Sequence, residues 1–322
     1  MKSKRSVNSL ASIVGRIGLL LGGTSSERKV SLRSGEAIYR ALTGLGFDVV
    51  KLDPARKGFE QLIRRAGIKV AFIALHGSGG EDGTVQSVLE RLRIPFTGSG
   101  AWASALAFDK HRSKKYFQQF QIQTPRYSII TRRNWKSVMR EWAFPLIVKP
   151  LQEGSSIGVR MIKTEKEKQR IIPFLLKQYS QLIVEEFICG REFSVPILDG
   201  EALPVTEIKS KRAFYDYKAK YTRGLTDYFV PAPIPKKVAR KLQATVKKAY
   251  ACMGLRDLAR GDMMMNQDGN AYLLEMNSIP GFTETSLLPK AAQKIGIEFS
   301  ELCTRLLQMA SRRMESQHID SR

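Results

Sequence analysis

Residues 258–277 read LARGDMMMNQDGNAYLLEMN: two apolar-rich, strand-like runs, Leu258 to Asn266 and Asn270 to Asn277, flank Gln267 and the pair Asp268-Gly269. Asp-Gly between two such runs predicts a two-residue hairpin turn. Counting outward from that turn puts Asp262 opposite Glu275 and Arg260 opposite Asn277. Side chains on a strand alternate faces with period two, so all four point to one side of the sheet. Directly opposed Cβ atoms sit roughly 5 Å apart, where two carboxylates repel unless a cation lies between them. Two acids beside an amide suit a magnesium ion, which takes carboxylate and amide oxygens and keeps positions open for water and phosphate. The competing interpretation is a pair of solvated acids on an exposed sheet face, the ordinary place for single carboxylates. Register decides between them, because a one-residue slip, a bulge or a three-residue loop would move Asp262 off its partner.

The rest of the chain frames this hairpin. With 322 residues and 43% hydrophobic content it can bury a sizeable core, in two or three domains. No apolar run approaches the ~20 residues of a membrane span. Three cysteines, widely spaced and odd in number, argue against a disulfide framework and have no zinc spacing; three histidines cannot form a histidine-rich metal site. The expected setting is therefore reducing and cytoplasmic. A net charge of +23 raises nucleic-acid binding as a rival function. The basic residues are dispersed, however, and short runs such as Lys2 to Arg5 lack interleaved aromatics. A surface that attracts anionic metabolites such as ATP is the favoured interpretation, with no nucleic acid and no membrane as partners. Met1 to Arg16 is basic and free of acids, a composition compatible with an organellar transit peptide, but 1–15 is expected to be a disordered extension; Ser311 to Arg322 is expected to be a polar, frayed tail.

Upstream, Arg16 to Leu21 reads as a strand running into Gly22-Gly23-Thr24-Ser25-Ser26. Ser26 is expected to cap a helix from Glu27 whose apolar face includes Val30, Leu32 and Ile38. Strands follow at Phe47 to Leu52 and at Val70 to Leu75, the latter ending at His76-Gly77, then a helix from Gly83 to Leu92. Strands alternating with helices imply an open, mostly parallel α/β layer, with ligands at the carboxyl ends of the strands. Gly22, Glu27 and His76 fall there. The glycines do not match the dinucleotide fingerprint.

A basic helix, Lys110 to Gln119, opens the next block, with strands at Tyr127 to Ile130 and Pro145 to Lys149. Between two strands lies Glu153-Gly154-Ser155-Ser156-Ile157-Gly158, which has no Walker A ending but whose backbone N–H groups and hydroxyls could approach phosphate. A helix from Glu165 to Gln178 and a strand Leu182 to Phe187 come next. Phe214 to Tyr221 reads as a polar tyrosine- and lysine-rich loop, and a long helix, Lys236 to Met253, precedes the hairpin. A last helix is expected from Phe299 to Met309.

Six stretches taken together resemble the D-alanine–D-alanine ligases of the ATP-grasp superfamily: LLLGGTSSERKVSLRSG, ALHGSGGEDGTVQ, FTGSGAWASALAFDKHRSK, VKPLQEGSSIGV, FYDYKAKY and LLEMNSIPGFTETSLLPKAA. The resemblance runs from about Ile17 to Leu307. It implies a three-domain ATP-grasp fold: an N-terminal α/β domain over 16–108, a central domain over 109–193 and a C-terminal one over 194–311. Residues 1–15 and 312–322 lie outside these domains. It also implies that ATP phosphorylates the carboxylate of one D-alanine and that a second D-alanine attacks the acylphosphate. ATP, two Mg²⁺ (or Mn²⁺), D-alanine and a homodimer are the implied cofactors and partners.

Carried over residue by residue, Asp262, Glu275 and Asn277 become the metal ligands. Lys110, Lys149 and Lys220 contact phosphates or adenine under the loop at Ser155-Ser156. Glu185, Glu186, Phe187 and Ile188 form the adenine hinge, Glu192 holds the ribose, and Met264 and Phe214 flank the base. Glu27 would hold the first ammonium, with Val30 and His76 nearby. Arg260 and the Gly281 N–H would face the oxyanion. Ser286 and Leu287, helped by Tyr215, would fix the second carboxylate. Tyr221 would link to Ser155 and Glu27 and pin the loop. Its retention favours an amine acceptor over D-lactate; D-serine remains an alternative acceptor, and a ligand-binding relative without catalysis an alternative class.

Overall fold

The computed structural model describes residues 10–211 and 224–319, with side chains as far as 313. Three sheets organise these residues. The first is parallel: β1 (Ile17–Leu20) lies between β2 (Val49–Leu52) and β3 (Val70–Ile73). Its strands read IGLL and VAFI because both faces are covered. Ile17, Leu19 and Phe72 pack into one core, while Leu20, Ala71 and Ile73 pack into a second on the other side. Helices α1 (Arg28–Gly44) and α2 (Phe59–Ala66) supply the crossovers, and α3 (Thr84–Arg91) leads from β3 to a parallel bridge of Phe96 with Ala71.

Helix α1 departs from expectation at its start. Its N-cap residue is Glu27, and no side chain caps it. Ser25, rather than Ser26, accepts a hydrogen bond from Glu27 N (3.2 Å) and donates to His76 O (2.6 Å), tying the helix entry to the end of β3. Leu32, expected on the apolar face, is exposed; Ser31 and Ser34 occupy buried positions instead. Ser31 Oγ donates to Ala74 O and accepts from Gly22 N, a pairing that makes a polar residue tolerable inside.

Helices α4 (Ala101–Phe108) and α5 (Lys110–Gln119) lead to an antiparallel sheet of order β4-β7-β5-β6: β4 (Tyr127–Thr131), β5 (Leu146–Pro150), β6 (Arg160–Ile162) and β7 (Gln181–Glu186). Period two divides its faces. Leu146, Val148, Leu182 and Val184 enter a core under α6 (Glu165–Gln178). Ile147, Lys149, Ile183 and Glu185 therefore point to the other side, and all four are buried there.

The third sheet has the order β11-β10-β8-β12-β13, with β9 (Glu201–Ala202) on β8 (Gly190–Leu198). The remaining members are β10 (Thr206–Ser210), β11 (Thr226–Phe229), β12 (Leu258–Asn266) and β13 (Ala271–Asn277). Helix α7 (Lys236–Cys252) covers one face through Leu242, Val246 and Ala249. Gly261 lies under it, where an added Cβ would stand 2.6 Å from Val246 Cγ2. Gly261→Ala is expected to cost ~1–3 kcal/mol through overpacking. Val246→Ala in the same chain should restore part of that loss, read by thermal denaturation.

The hairpin keeps its expected pairing by two departures that cancel. Its loop is three residues long, 267–269: Asn266 N donates to Asn270 O, and Gly269, at φ +79°, closes the turn. That offset pairs Met263 with Leu273. A register shift between Asp262 and Met263 then restores Asp262↔Glu275 and Arg260↔Asn277. The extra residue on β13, Leu274, is a β-bulge, and it flips the faces that follow. Leu273 and Met276 both enter the core, leaving Glu275 and Asn277 on the same side as Arg260 and Asp262.

Helices α8 (Leu287–Gln293) and α9 (Phe299–Ile319) end the chain's described part. Two expectations at the ends fail: 10–14 is helical, with Leu10 and Val14 buried in the first core rather than in a disordered extension, and the last helix runs past Met309 with the chain beyond Ser311 not simply frayed. Arg313 donates from Nη2 to Phe96 O (2.6 Å) and through both terminal nitrogens to Asp257 (2.8 and 2.7 Å). Among the described residues no helix is long and apolar enough to cross a membrane.

Candidate active site

The three sheets converge on a cleft of about 680 Å³. The end of β3 and the start of α1 bring His76, Glu27 and Val30 to it; the glycine/serine loop brings Gly154 and Ser155; the hairpin brings Arg260, Asp262, Glu275 and Asn277. The turn after β13 adds Gly281, Ser286 and Leu287. Twelve residues singled out from the sequence thus share one cavity.

Asp262 is buried and fully engaged. Arg260 meets both its carboxylate oxygens (2.8 and 2.7 Å), Asn277 Nδ2 donates to Oδ2 (3.0 Å), and Ser194 Oγ donates to Oδ1 (3.0 Å). Because Asn277 presents its N–H to Asp262, its oxygen is left as an acceptor. Glu275 lies 3.6 Å from the Lys110 ammonium. The two carboxylates therefore each face a cation, answering the repulsion that their opposition creates. Two acids and an amide oxygen are hard donors, which fits magnesium or manganese. Arg260 would have to release part of Asp262 for such an ion to bind.

Glu27 is buried, and Ser155 Oγ donates to its Oε1 across the cleft. Gly154 passes so close to Glu27 Oε2 that an added Cβ would overlap it. Gly154→Ala is therefore expected to push the loop off Glu27 and lower kcat by at least tenfold, with little change in melting temperature; unchanged turnover would argue that the loop contact is dispensable. Ser155 and Ser156 both have positive φ (49° and 59°), the left-handed backbone that favours glycine. His76 sits between Ser34 Oγ (3.1 Å from Nε2) and Glu81 Oε1 (3.4 Å from Nδ1). Ser286 Oγ accepts from Thr283 N (3.0 Å), which closes the turn beneath Gly281.

Beside Glu275, on the face of the second sheet that carries Lys149 and Glu185, lies a cluster of charges. Lys149 pairs with Glu185 Oε2 (3.0 Å), and Lys114 lies 3.2 Å from Oε1. Burial drives the Lys110 ammonium below its usual range, partly offset by Glu275. Burial also lowers Lys114, to about 8, against the attraction of Glu185. Desolvation alone would raise the Glu185 carboxyl, but Lys114 and Lys149 outweigh it and hold it below the ordinary value. Glu186, Phe187 and Ile188 follow at the passage into β8, half-buried. Glu192 and Met264 are paired neighbours on β8 and β12, in the row that carries Ser194 and Asp262. Phe214, Tyr215, Lys220 and Tyr221 lie outside the described residues.

Sequence reasoning missed Glu81, Ser194 and Lys114. Ser194 and Glu81 owe their places to tertiary pairing. Lys114 carries a weak signal: it is one helical turn after Lys110, on the same face of α5. In a helix reading KHRSKKYFQQ that position looks like another solvated lysine.

Family models describing the D-ala D-ala ligase N-terminus and C-terminus match residues 51–99 and 116–308. A D-alanine--D-alanine ligase from Syntrophotalea carbinolica is 45% identical over 298 residues, spanning 92% of this chain and 97% of that relative. Among solved structures, the D-alanine--D-alanine ligase from Bacillus anthracis complexed with ATP superposes with a TM-score of 0.82 at 31% identity, covering 94% of this chain and 99% of that one. The VanG D-Ala:D-Ser ligase from Enterococcus faecalis gives 0.80 at 27% identity, over 92% and 99% of the two chains. The sheets, the cleft and these likenesses have one explanation: the chain is an ATP-grasp protein and belongs to the D-ala D-ala ligase family.

Proposed function

We propose that this protein joins two D-alanine molecules into D-alanyl-D-alanine with conversion of ATP to ADP and phosphate, supplying peptidoglycan precursors in the cytoplasm. The observation that carries this is the convergence of Arg260, Asp262, Glu275 and Asn277 with the Glu27–Ser155 contact in one cleft, in a chain 45% identical to a ligase of that name. The three sheets support three domains close to 16–108, 109–193 and 194–311, except that β8, from Gly190, pairs wholly within the third sheet and moves that boundary ahead of it.

Glu27 takes the ammonium of the first D-alanine, with Val30 against its methyl and His76 beside it. Lys110 and Lys149 meet the phosphates as point charges, and the loop at Ser155-Ser156 covers them. Glu185 to Ile188 receive the base, Met264 flanks it, and Glu192 takes the ribose hydroxyls. Asp262, Glu275 and Asn277 would hold two Mg²⁺ (or Mn²⁺), which neutralise phosphate charge and orient the transfer when bound.

Chemistry then proceeds in two balanced steps. A carboxylate oxygen of the first D-alanine attacks the γ-phosphorus and ADP leaves. The neutral amine of the second D-alanine attacks the resulting acylphosphate carbon, loses a proton, and phosphate departs with its bonding pair. Arg260 and the Gly281 N–H face the tetrahedral oxyanion; preorganised donors of this kind supply several kcal/mol. Ser286 and Leu287 position the second carboxylate. A closed loop keeps water from an acylphosphate that hydrolyses readily. Tyr215, Lys220 and Tyr221, whose family roles fall in this chemistry, lie outside the described residues. A homodimer is the expected assembly, checked by sedimentation equilibrium.

A D-serine acceptor is the second reading, because the fold also matches a D-Ala:D-Ser ligase. Offering D-alanine, D-serine and D-lactate separately, with D-alanine and ATP, tests both. D-Alanyl-D-alanine should dominate the product masses at equal acceptor concentrations. Predominant D-alanyl-D-serine would replace the first reading, and no ADP with any acceptor would end both.

A further inference from the structure

The geometry points to Lys114 as a positioning residue of the nucleotide site, holding the Glu185 carboxylate charged and turned so that Oε1 accepts an N–H from the purine. This rests on the nucleotide reading above and names a residue that reading does not use. Lys114 has no exposed side-chain surface, and Glu185 has 3%. The Lys114 ammonium donates to Thr124 Oγ1 (2.6 Å), in the loop before β4, so it is held from behind while it faces Glu185.

Glu185 Oε1 is buried, yet it accepts no directed hydrogen bond from any protein group. Lys114 at 3.2 Å neutralises it without filling its lone pairs. An ionised carboxylate accepts at about four lone-pair positions, so capacity remains for a donor that enters the site. Buried acceptors left unmade are costly, and such an atom beside the charges of the cleft signals an absent partner. The donor is not phosphate, which Glu185 would repel. Ile147, the β5 partner of Glu185, and Ile183, two residues before it on β7, share its sheet face and surround the carboxylate with apolar, buried side chains. Apolar surroundings with one anionic acceptor fit an aromatic base bearing an exocyclic amine. Lys110 and Lys149 are left for the phosphates.

Removing Lys114 would leave Lys149 as the main neutralising neighbour of Glu185, drawing Lys149 from phosphate and letting burial push the carboxyl toward its protonated form. The groups facing Lys114 are Glu185 from β7, Lys149 from β5, Glu275 from β13 and, at 5.6 Å from its ring centre, Tyr127 from β4. Below about pH 8 Lys114 is charged and the arrangement holds; above it the ammonium is lost and the affinity for base falls.

Calorimetric titration of the full chain with Mg-ATP, and separately with inorganic tripolyphosphate, tests this without amino acids present. Lys114→Met should weaken ATP binding about tenfold, the worth of one hydrogen bond to a charged group, and tripolyphosphate by under threefold. In turnover, KM for ATP should rise in proportion while kcat changes less than threefold. Equal losses for both probes, or none, would overturn the proposal. Should Lys114→Met not fold, the wild type decides: its KM for ATP should climb between pH 7 and 9.5, and Lys114→Arg should move that climb upward. A flat profile, or one that Lys114→Arg leaves in place, also overturns it. Nucleotide binding that follows Lys114 in a protein forming no dipeptide would sink the ligase reading alone.

Discussion

Glu275→Gln is expected to abolish D-alanine-dependent ADP formation, lowering kcat by at least ~10³-fold while the protein stays folded. The substitution keeps shape and removes one charge. Glu275 sits opposite Asp262 and 3.6 Å from Lys110, so the variant loses half the negative charge available to a divalent ion. It also leaves Lys110, already pushed down by burial, without its nearest anion. The expected signature is a loss in kcat that higher magnesium only partly restores, with an unchanged circular dichroism spectrum. Activity within tenfold of wild type would show that the paired acids are solvated bystanders, and the proposed chemistry would fail with them.

The second large effect concerns stability. Asp257→Ala should cost about 2–3 kcal/mol, below the range for a fully buried ion pair because the Arg313 left behind is a quarter exposed. Asp257 is buried, at φ +62°, and accepts from both Arg313 terminal nitrogens and from Gly98 N (2.8 Å). Arg313 holds Phe96 O as well, and Arg256 Nε donates to Gly98 O (2.8 Å). These bonds fasten the edge of the first sheet to the residue just before β12, where the hairpin that lines the cleft begins. Asp257→Asn, which tolerates the left-handed backbone, should lose less than Ala. The two variants compared by thermal unfolding check this, and a melting temperature within 2 °C of wild type for Asp257→Ala would remove the ion pair from any account of how the units are joined.

Much of the cleft is legible in the sequence. Local chemistry wrote it: Asp-Gly marks a turn, period two aligns four polar side chains, and glycine-serine loops approach phosphate. The register count was right at the site but wrong near the turn. A two-residue turn with regular strands and a three-residue loop with a bulge both pair Asp262 with Glu275; only the second lets Leu273 and Met276 both enter the core. The bulge follows from packing against α7, which nothing local to the hairpin reports.

Other departures share that cause. Leu32 should be inside by type, but the helix turns Ser31 and Ser34 inward because Ala74 O, Gly22 N and His76 need partners there. Lys114 is chemically indistinguishable from its neighbours in α5 until Glu185 and Thr124, 71 and 10 residues away, close around it. The last helix outlasts its apolar pattern because Arg313 finds Asp257.

By itself, then, the amino-acid order determined the α/β class, the hairpin, the family and the residue types that meet in the cleft. Those follow from periodicity and backbone chemistry acting over a few residues. Which carboxylate faces which cation, which lysine is dry, and which serine ties a helix to a strand were decided only by the tertiary structure. The reason is physical: burial and charge pairing depend on groups that are distant in the chain, and desolvation gives a side chain its character only once they close around it.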